Sequence, residues 1–194
     1  MICDNMLEMF DFAEALANQP LPPGNRIAIA SGGGGFCVIS AEACSKEGLE
    51  VPVLDDKAKE RIRKHVNDYS PEPTNPVDLI AVKSNVDYAR IIEILAQQDY
   101  IDGLIIAPPY GTINRKLPLE MLNALVECCA IIGEIPKKYG KPVLAFAMRE
   151  YSATAMYEIL KRGNIPFFEA PETCARAMKA LCFHAQQKKD RHRA

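Results

Sequence analysis

Two periods of apolar residues take turns along the chain. From Asp4 to Asn18, Met6, Phe10, Phe12, Ala13 and Leu16 recur at helical spacing and predict an amphipathic helix. Gln19-Pro-Leu-Pro-Pro-Gly24 follows as a stiff, extended linker, because proline fixes φ and cannot continue a helix. Arg26-Ile-Ala-Ile-Ala30 reads as a short strand and runs straight into Ser31-Gly-Gly-Gly-Gly35. Phe36 to Glu47 is helical in pattern, with Gly48 as its stop. Val51-Pro-Val-Leu54 predicts a weak strand, which Pro52 confines to a sheet edge or a strand start. Asp55 or Asp56 caps a charged helix reaching about Val66. The stretch 67–85 reads as a loop holding Pro71, Pro73 and Pro76, after which Asn85 caps a helix over Val86–Gln98.

The second half repeats the alternation. Ile101–Ala107 is a buried strand stopped by Pro108-Pro109. Leu117–Tyr139 is a long helix with Leu117, Met121, Leu122, Leu125, Cys129, Ile132 and Ile135 on one face, and Gly140 ends it. Lys141–Ala147 is the next buried strand. Ser152 caps a helix carrying Ala153, Met156, Tyr157 and Leu160 as far as Gly163. Ile165–Phe168 is the last strand, and Pro171 opens a final helix striped by Cys174, Ala177, Met178, Leu181 and Cys182. The basic residues 188–193 read as a frayed tail.

Strands that alternate with helices and read as continuous apolar runs require a parallel sheet buried on both faces. The expected fold is therefore α/β: three layers, doubly wound, with a five-stranded parallel sheet in the flavodoxin-like order 2-1-3-4-5. Residues 1–24 form a helix and linker, 25–187 the flavodoxin-like domain, and 188–194 the tail.

Composition narrows the function. Twenty-three Lys+Arg against 25 Asp+Glu leave a net charge of −2, so no global positive field draws nucleic acid or anionic lipid. No apolar run approaches the length of a membrane span, and the N-terminus lacks the basic-then-apolar order of a signal peptide. Seven cysteines without a C-x-x-C favour reduced core residues and a cytoplasmic location over disulfides or zinc. His65, His184 and His192 are scattered, which leaves no metal site and no Ser-His pair.

The chemistry is expected at the carboxyl ends of the strands, near the switch between the first and third. Ser31, Gly32, Gly33, Gly34 and Gly35 let the backbone approach an anion, and the following helix aims free N–H groups and its positive end at the same spot. A tight turn without ligand is the other reading. The loop is neither G-x-x-x-x-G-K-[ST] nor G-x-G-x-x-G, because no lysine follows and position 37 is Cys37. A second candidate is Thr74-Asn75-Pro76-Val77-Asp78. There Pro76 forces Asn75 extended, and Asn75 and Asp78 can bind each other, a helix N-terminus or a ligand, or merely cap the loop. The later strand mouths offer Tyr110 and Arg149 to an anion, while Glu172 suits the first turn of the last helix.

Arg26-Ile-Ala-Ile29, Gly33-Gly-Gly35, Gly48-Leu49, Asn75-Pro-Val-Asp78, Gly163-Asn-Ile-Pro166 and Pro171-Glu172 together resemble a known family. From Leu7 to Phe183 the chain is similar to the C-terminal, succinyl-CoA synthetase-like flavodoxin domain of NDP-forming acyl-CoA synthetases (acetate–CoA ligase, ADP-forming). Two positions depart from the family pattern: its Thr-Asn is Ser31-Gly32 here, and a later glycine is Cys37. Ser31 keeps a hydroxyl, whereas Gly32 offers no amide side chain.

The resemblance implies a domain or subunit of an enzyme that converts acyl-CoA, ADP and phosphate into acid, CoA and ATP through a phosphorylated histidine. It assigns Ser31, Gly32, Gly33, Gly34 and Gly35 to phosphate binding, with Asn75, Pro76 and Asp78 as a supporting loop, and it assigns no catalytic residue. Phosphate, CoA and ADP/ATP would be substrates of the assembled enzyme, with no tightly bound cofactor. The partners would be CoA-binding, phosphohistidine and ATP-grasp domains or subunits, because S-H-T-G-A is missing from this sequence. A non-catalytic binding or regulatory module, or the matching region of a protein lysine acetyltransferase, are the alternatives.

Overall fold

The computed structural model describes residues 3–108, 118–147 and 155–193. Its elements run α1 (Met6–Asn18), β1 (Ile27–Ser31), α2 (Gly34–Lys46), α3 (Asp56–Arg63), β2 (Val77–Asp78), α4 (Asn85–Ala96), β3 (Gly103–Ala107), α5 (Leu119–Tyr139), β4 (Val143–Phe146), α6 (Ala155–Arg162), β5 (Phe167–Phe168) and α7 (Pro171–Arg193). All strand pairs are parallel, and the sheet order is β2-β1-β3-β4-β5.

Side-chain alternation along the strands builds the two cores. On one face Ala28, Ala30, Leu104, Ile106, Val143 and Ala145 pack against α3, α4 and α5. On the other, Ile27, Ile29, Ile105, Leu144 and Phe146 pack against α1, α2 and α7. This is the three-layer, doubly wound architecture that the apolar runs predict.

Helix ends follow local chemistry. Asp55 caps α3 by accepting from the Ala58 amide at 2.7 Å. Ser84, one residue before the expected Asn85, caps α4 by accepting from the Asp87 amide at 3.1 Å. Gly140 ends α5 in the left-handed region at φ 65°, where glycine carries no Cβ penalty. The last helix continues through Arg193, so the basic stretch read as a frayed tail is helical. Leu117, Ser152 and Ala153 lie outside the described residues.

The identity of strand two is the main correction. Residues 51–54 form no strand; only Glu50 bridges Arg26 beside them. Pro52 has no N–H to give a ladder. Val77–Asp78, inside the expected loop, takes the place instead, in register with Ala30 and Ser31. Asn75 completes the edge. Its side chain accepts from the Ile29 amide at 2.9 Å and donates to the Ile27 carbonyl at 2.9 Å and the Pro52 carbonyl at 3.0 Å. One side-chain amide thus fills the peptide position that would otherwise join residues 50–52 to β1.

At the opposite end of the strands, Asp102 is buried beside Arg26. The guanidinium donates to both carboxylate oxygens at 2.8 Å, and the Arg26 amide donates to Oδ2 at 3.0 Å. Burial raises the Asp102 carboxyl, but these bonds outweigh it and hold the group below the ordinary aspartate value.

Candidate functional site

The strand order switches at β1, whose parallel neighbours β2 and β3 lie on its two sides. Ser31 ends β1 level with Asp78 of β2 on one side and Ala107 of β3 on the other. The chain then leaves through Gly32 and Gly33 into α2. Gly33 is the N-cap, extended at φ −163°, with no side-chain cap hydrogen bond. Its carbonyl accepts from the Phe36 and Cys37 amides at 3.0 and 3.2 Å. The first amides of any helix lack an intrahelical partner and carry the positive end of its dipole. In α2 these amides follow the carboxyl end of β1, at the topological switch point.

Space around the loop separates its members. A β-carbon on Gly32 or Gly35 would meet nothing within 4 Å, and on Gly33 only the Phe36 ring at 3.7 Å. On Gly34 it would lie 2.9 Å from Asp78 Oδ2. Among the described residues, Gly32 and Gly35 therefore have no side chain over them, and Gly34 lies against Asp78. Ser31 Oγ, at the base of this mouth, is buried with no hydrogen-bond partner among the described residues.

Two contacts fix the start of α2. The Phe36 ring lies 5.7 Å from that of Phe146 at the end of β4. The Cys37 thiol donates to the Val77 carbonyl at 3.5 Å. Burial, reinforced by the Asp78 charge, pushes that thiol up to about 11, so it stays protonated at neutral pH and serves as a packed tether. Cys44 and Cys129 are likewise pushed to about 12 by burial, consistent with their reading as core residues.

The two halves of Asn75-Pro-Val-Asp78 do different work. Asn75 turns into the sheet edge and is satisfied there by backbone. Asp78 stands at the mouth, where its Oδ1 accepts from the Ile80 amide at 3.0 Å and its Oδ2 abuts Gly34. Asn75 and Asp78 therefore do not pair with each other. Of the other candidates, Glu172 lies in the first turn of α7, as expected. Tyr110 and Arg149 lie outside the described residues.

Sequence reasoning missed one pair. His65 Nδ1 lies 2.7 Å from Asp87 Oδ1, while Ser84 Oγ donates to Asp87 Oδ2 at 2.6 Å. Ser84-x-x-Asp87 as a capping pattern was available in the sequence, but nothing there brings His65 to it. Among the described residues no three His, Cys, Asp or Glu gather where they could hold a metal ion. No helix among them is long and apolar enough to cross a membrane.

Comparison with known proteins gives the same direction. No family model matches the sequence. The chain is 33% identical over 186 residues to the acetate–CoA ligase [ADP-forming] II subunit alpha of Pyrococcus furiosus, covering 96% of this chain and 39% of that protein. It is 30% identical over 182 residues to the 4-hydroxybutyrate–CoA ligase [ADP-forming] of Nitrosopumilus maritimus, covering 92% of this chain and 24% of that one. A solved structure from Pyrococcus horikoshii OT3 superposes with a TM-score of 0.80 at 32% identity, covering 96% of this chain and 41% of that one. The dinucleotide-forming acetyl-coenzyme A synthetase 1 of Ca. Korarchaeum cryptofilum, solved with phosphate and ADP, shares the fold at a TM-score of 0.75 and 19% identity. That match covers 100% of this chain and 40% of the other.

The sheet order is thus shared with solved structures that this chain covers over nearly its whole length. Over 96% of its length the chain is a homologue of the alpha subunit of an ADP-forming acetate–CoA ligase, and it spans about two fifths of that subunit.

Proposed function

We propose that this domain holds a phosphoryl group at the N-terminus of α2 within an ADP-forming acyl-CoA synthetase. In this reading Ser31, Gly32, Gly33, Gly34 and Gly35 surround the group, and Asn75, Pro76 and Asp78 support the loop from β2. The assembled enzyme would convert acyl-CoA, ADP and phosphate into acid, CoA and ATP. CoA-binding, phosphohistidine and ATP-grasp parts would come from other domains or subunits. Residues 25–187 would be the phosphate-holding unit.

One observation carries the proposal: α2 begins at the switch point on a run of glycines without a side-chain cap, and at Gly32 and Gly35 no described residue lies within 4 Å of a β-carbon position. The reading of acyl-CoA chemistry rests on the relatives, which are named as ADP-forming acetate–CoA and 4-hydroxybutyrate–CoA ligases.

Magnitudes say why the domain works only in company. A helix N-terminus stabilises an anion by about 0.3–1 kcal/mol, or roughly 2 when partly buried. Even millimolar affinity needs about 4 kcal/mol. Asp78 beside Gly34 lowers the return further, because a carboxylate at the mouth repels an anion. A second source of positive charge, supplied with the phosphoryl group by a partner, has to make up the difference.

The isolated chain should therefore form no ATP from acetyl-CoA, ADP and phosphate in a single-turnover assay, and it should bind phosphate more weakly than millimolar. ATP formation by the chain alone would overturn the proposal. A second reading, a non-catalytic module that kept the fold, is favoured by Gly32 standing where the family has asparagine. It predicts that adding the missing parts restores no turnover.

A further inference from the structure

The last residues of β1 and β2 place two polar side chains on the side of the sheet where α2 begins. Side chains alternate along a strand. In β1, Ala28 and Ala30 face α3, α4 and α5, while Ile27 and Ile29 face α1, α2 and α7, so Ser31 continues the second row. In β2, Val77 belongs to the first face, so Asp78 turns to the second. The two residues are register partners in adjacent strands. The 2.9 Å between Asp78 Oδ2 and a β-carbon position on Gly34 agrees with that direction.

Both side chains keep hydrogen-bonding capacity in reserve. Ser31 is fully buried, and its Oγ has no partner among the described residues. Buried hydroxyls are ordinarily paired, so one left over beneath a helix start points to a group that arrives from outside. Asp78 Oδ1 accepts from the Ile80 amide at 3.0 Å, which fixes the carboxylate. Its Oδ2 receives no hydrogen bond from the described residues. The first amides of α2 add donors that have no intrahelical acceptor.

The mouth thus combines several donors with one fixed acceptor. An ionised carboxylate only accepts hydrogen bonds, and it repels an anion that brings no proton. Hydrogen phosphate suits this set: its bare oxygens accept from the amides and the Ser31 hydroxyl, and its P–OH donates to Asp78. Sulfate has nearly the same shape and charge and no proton to give.

We propose that Asp78 selects a phosphoryl group that bears a proton, so that the mouth takes hydrogen phosphate and rejects sulfate. The inference rests on the reading that the N-terminus of α2 holds a phosphoryl group, and it narrows that group to one with a P–OH. A site that pairs with a ligand's proton discriminates against the analogue lacking it, because its own acceptor is then left facing a like charge.

The test titrates phosphate and sulfate separately into the full chain, well past millimolar, and follows the amide signals of Gly32, Gly33, Gly34 and Gly35 by NMR. Ionic strength is held constant, and the pH is mildly alkaline so that both anions are dianions. The parent should bind phosphate at least about tenfold more tightly than sulfate. Asp78→Asn keeps an oxygen for the Ile80 amide and drops the charge. With it sulfate should tighten by about tenfold, and the preference should shrink to within about threefold. Asp78→Ser, whose hydroxyl serves the same turn, should give the same loss of preference and stands in if the first variant fails to fold. Equal affinities in the parent, or a preference that survives removal of the carboxylate, overturns the proposal and leaves the mouth as an anion site. Glycine amides that neither anion moves overturn the mouth itself, and this inference with it.

Discussion

Asp78 Oδ2 lies 2.9 Å from the point where a β-carbon on Gly34 would sit. The carboxylate of β2 and the first residue of α2 therefore meet at a distance only glycine allows without movement. Gly35, one residue on, faces open space. Gly35→Ala should stabilise the protein by about 0.5–1 kcal/mol, the ordinary gain of alanine over glycine in a helix. Gly34→Ala should gain less or nothing, because Asp78 must shift. Thermal melts of the two variants check the order; equal gains would mean that Asp78 yields freely.

Asn75 makes three hydrogen bonds to backbone groups of Ile27, Ile29 and Pro52. Asn75→Ala should destabilise by about 2–4 kcal/mol, since those groups lose partners that water replaces poorly at a sheet edge. Asn75→Asp should be worse than a conservative change suggests, because a carboxylate cannot donate to the Ile27 and Pro52 carbonyls. Denaturant unfolding measures both.

The Arg26–Asp102 pair sets an acid limit. With the Asp102 carboxyl held below its ordinary value, its contribution is complete above the unfolded aspartate value, about 3.9. It is lost as pH falls through the lower folded value. Asp102→Asn should melt below the parent by a constant margin from pH 5 to 8, and the margin should shrink below about pH 4. A margin that persists undiminished at pH 2 would show that the charge plays no part.

Asp11 has the opposite sign. Its carboxyl is raised, chiefly by burial. It favours the fold while protonated and works against it once pH passes through the folded value. Asp11→Asn should raise the melting temperature at pH 7, and the difference should vanish at pH 3. No change at pH 7 would contradict it.

The strands and most helix limits were legible because apolar period and local stop signals are properties of neighbouring residues. Gly140 and Pro171 could be placed from sequence alone. The glycine mouth was legible for the same reason, as Ser31 to Gly35 sit directly between an apolar run and a helical one. Strand two was not. Val77–Asp78 owes its place to pairing with Ala30 and Ser31 and to the Asn75 side chain reaching Ile27 and Ile29, which are contacts between distant parts of the chain. A prolines-rich stretch masks a two-residue strand. In α1 the helix itself was readable from Met6, Phe10 and Leu16, but the face it turns inward carries Phe12 and Ala15 in the core and Glu8 beside Arg176, contacts with distant parts of the chain.

The account turns on whether the mouth of α2 receives the phosphoryl group. The direct measurement is ATP formation from acetyl-CoA, ADP and phosphate by this chain combined with CoA-binding, phosphohistidine and ATP-grasp parts, compared with the same assembly carrying Gly35→Leu. No described residue lies within 4 Å of a β-carbon there, so folding should be kept while turnover drops by about tenfold or more, as expected when a group blocks an electrostatic site. An intact assembly that turns over at the parental rate with leucine at that position would contradict the account.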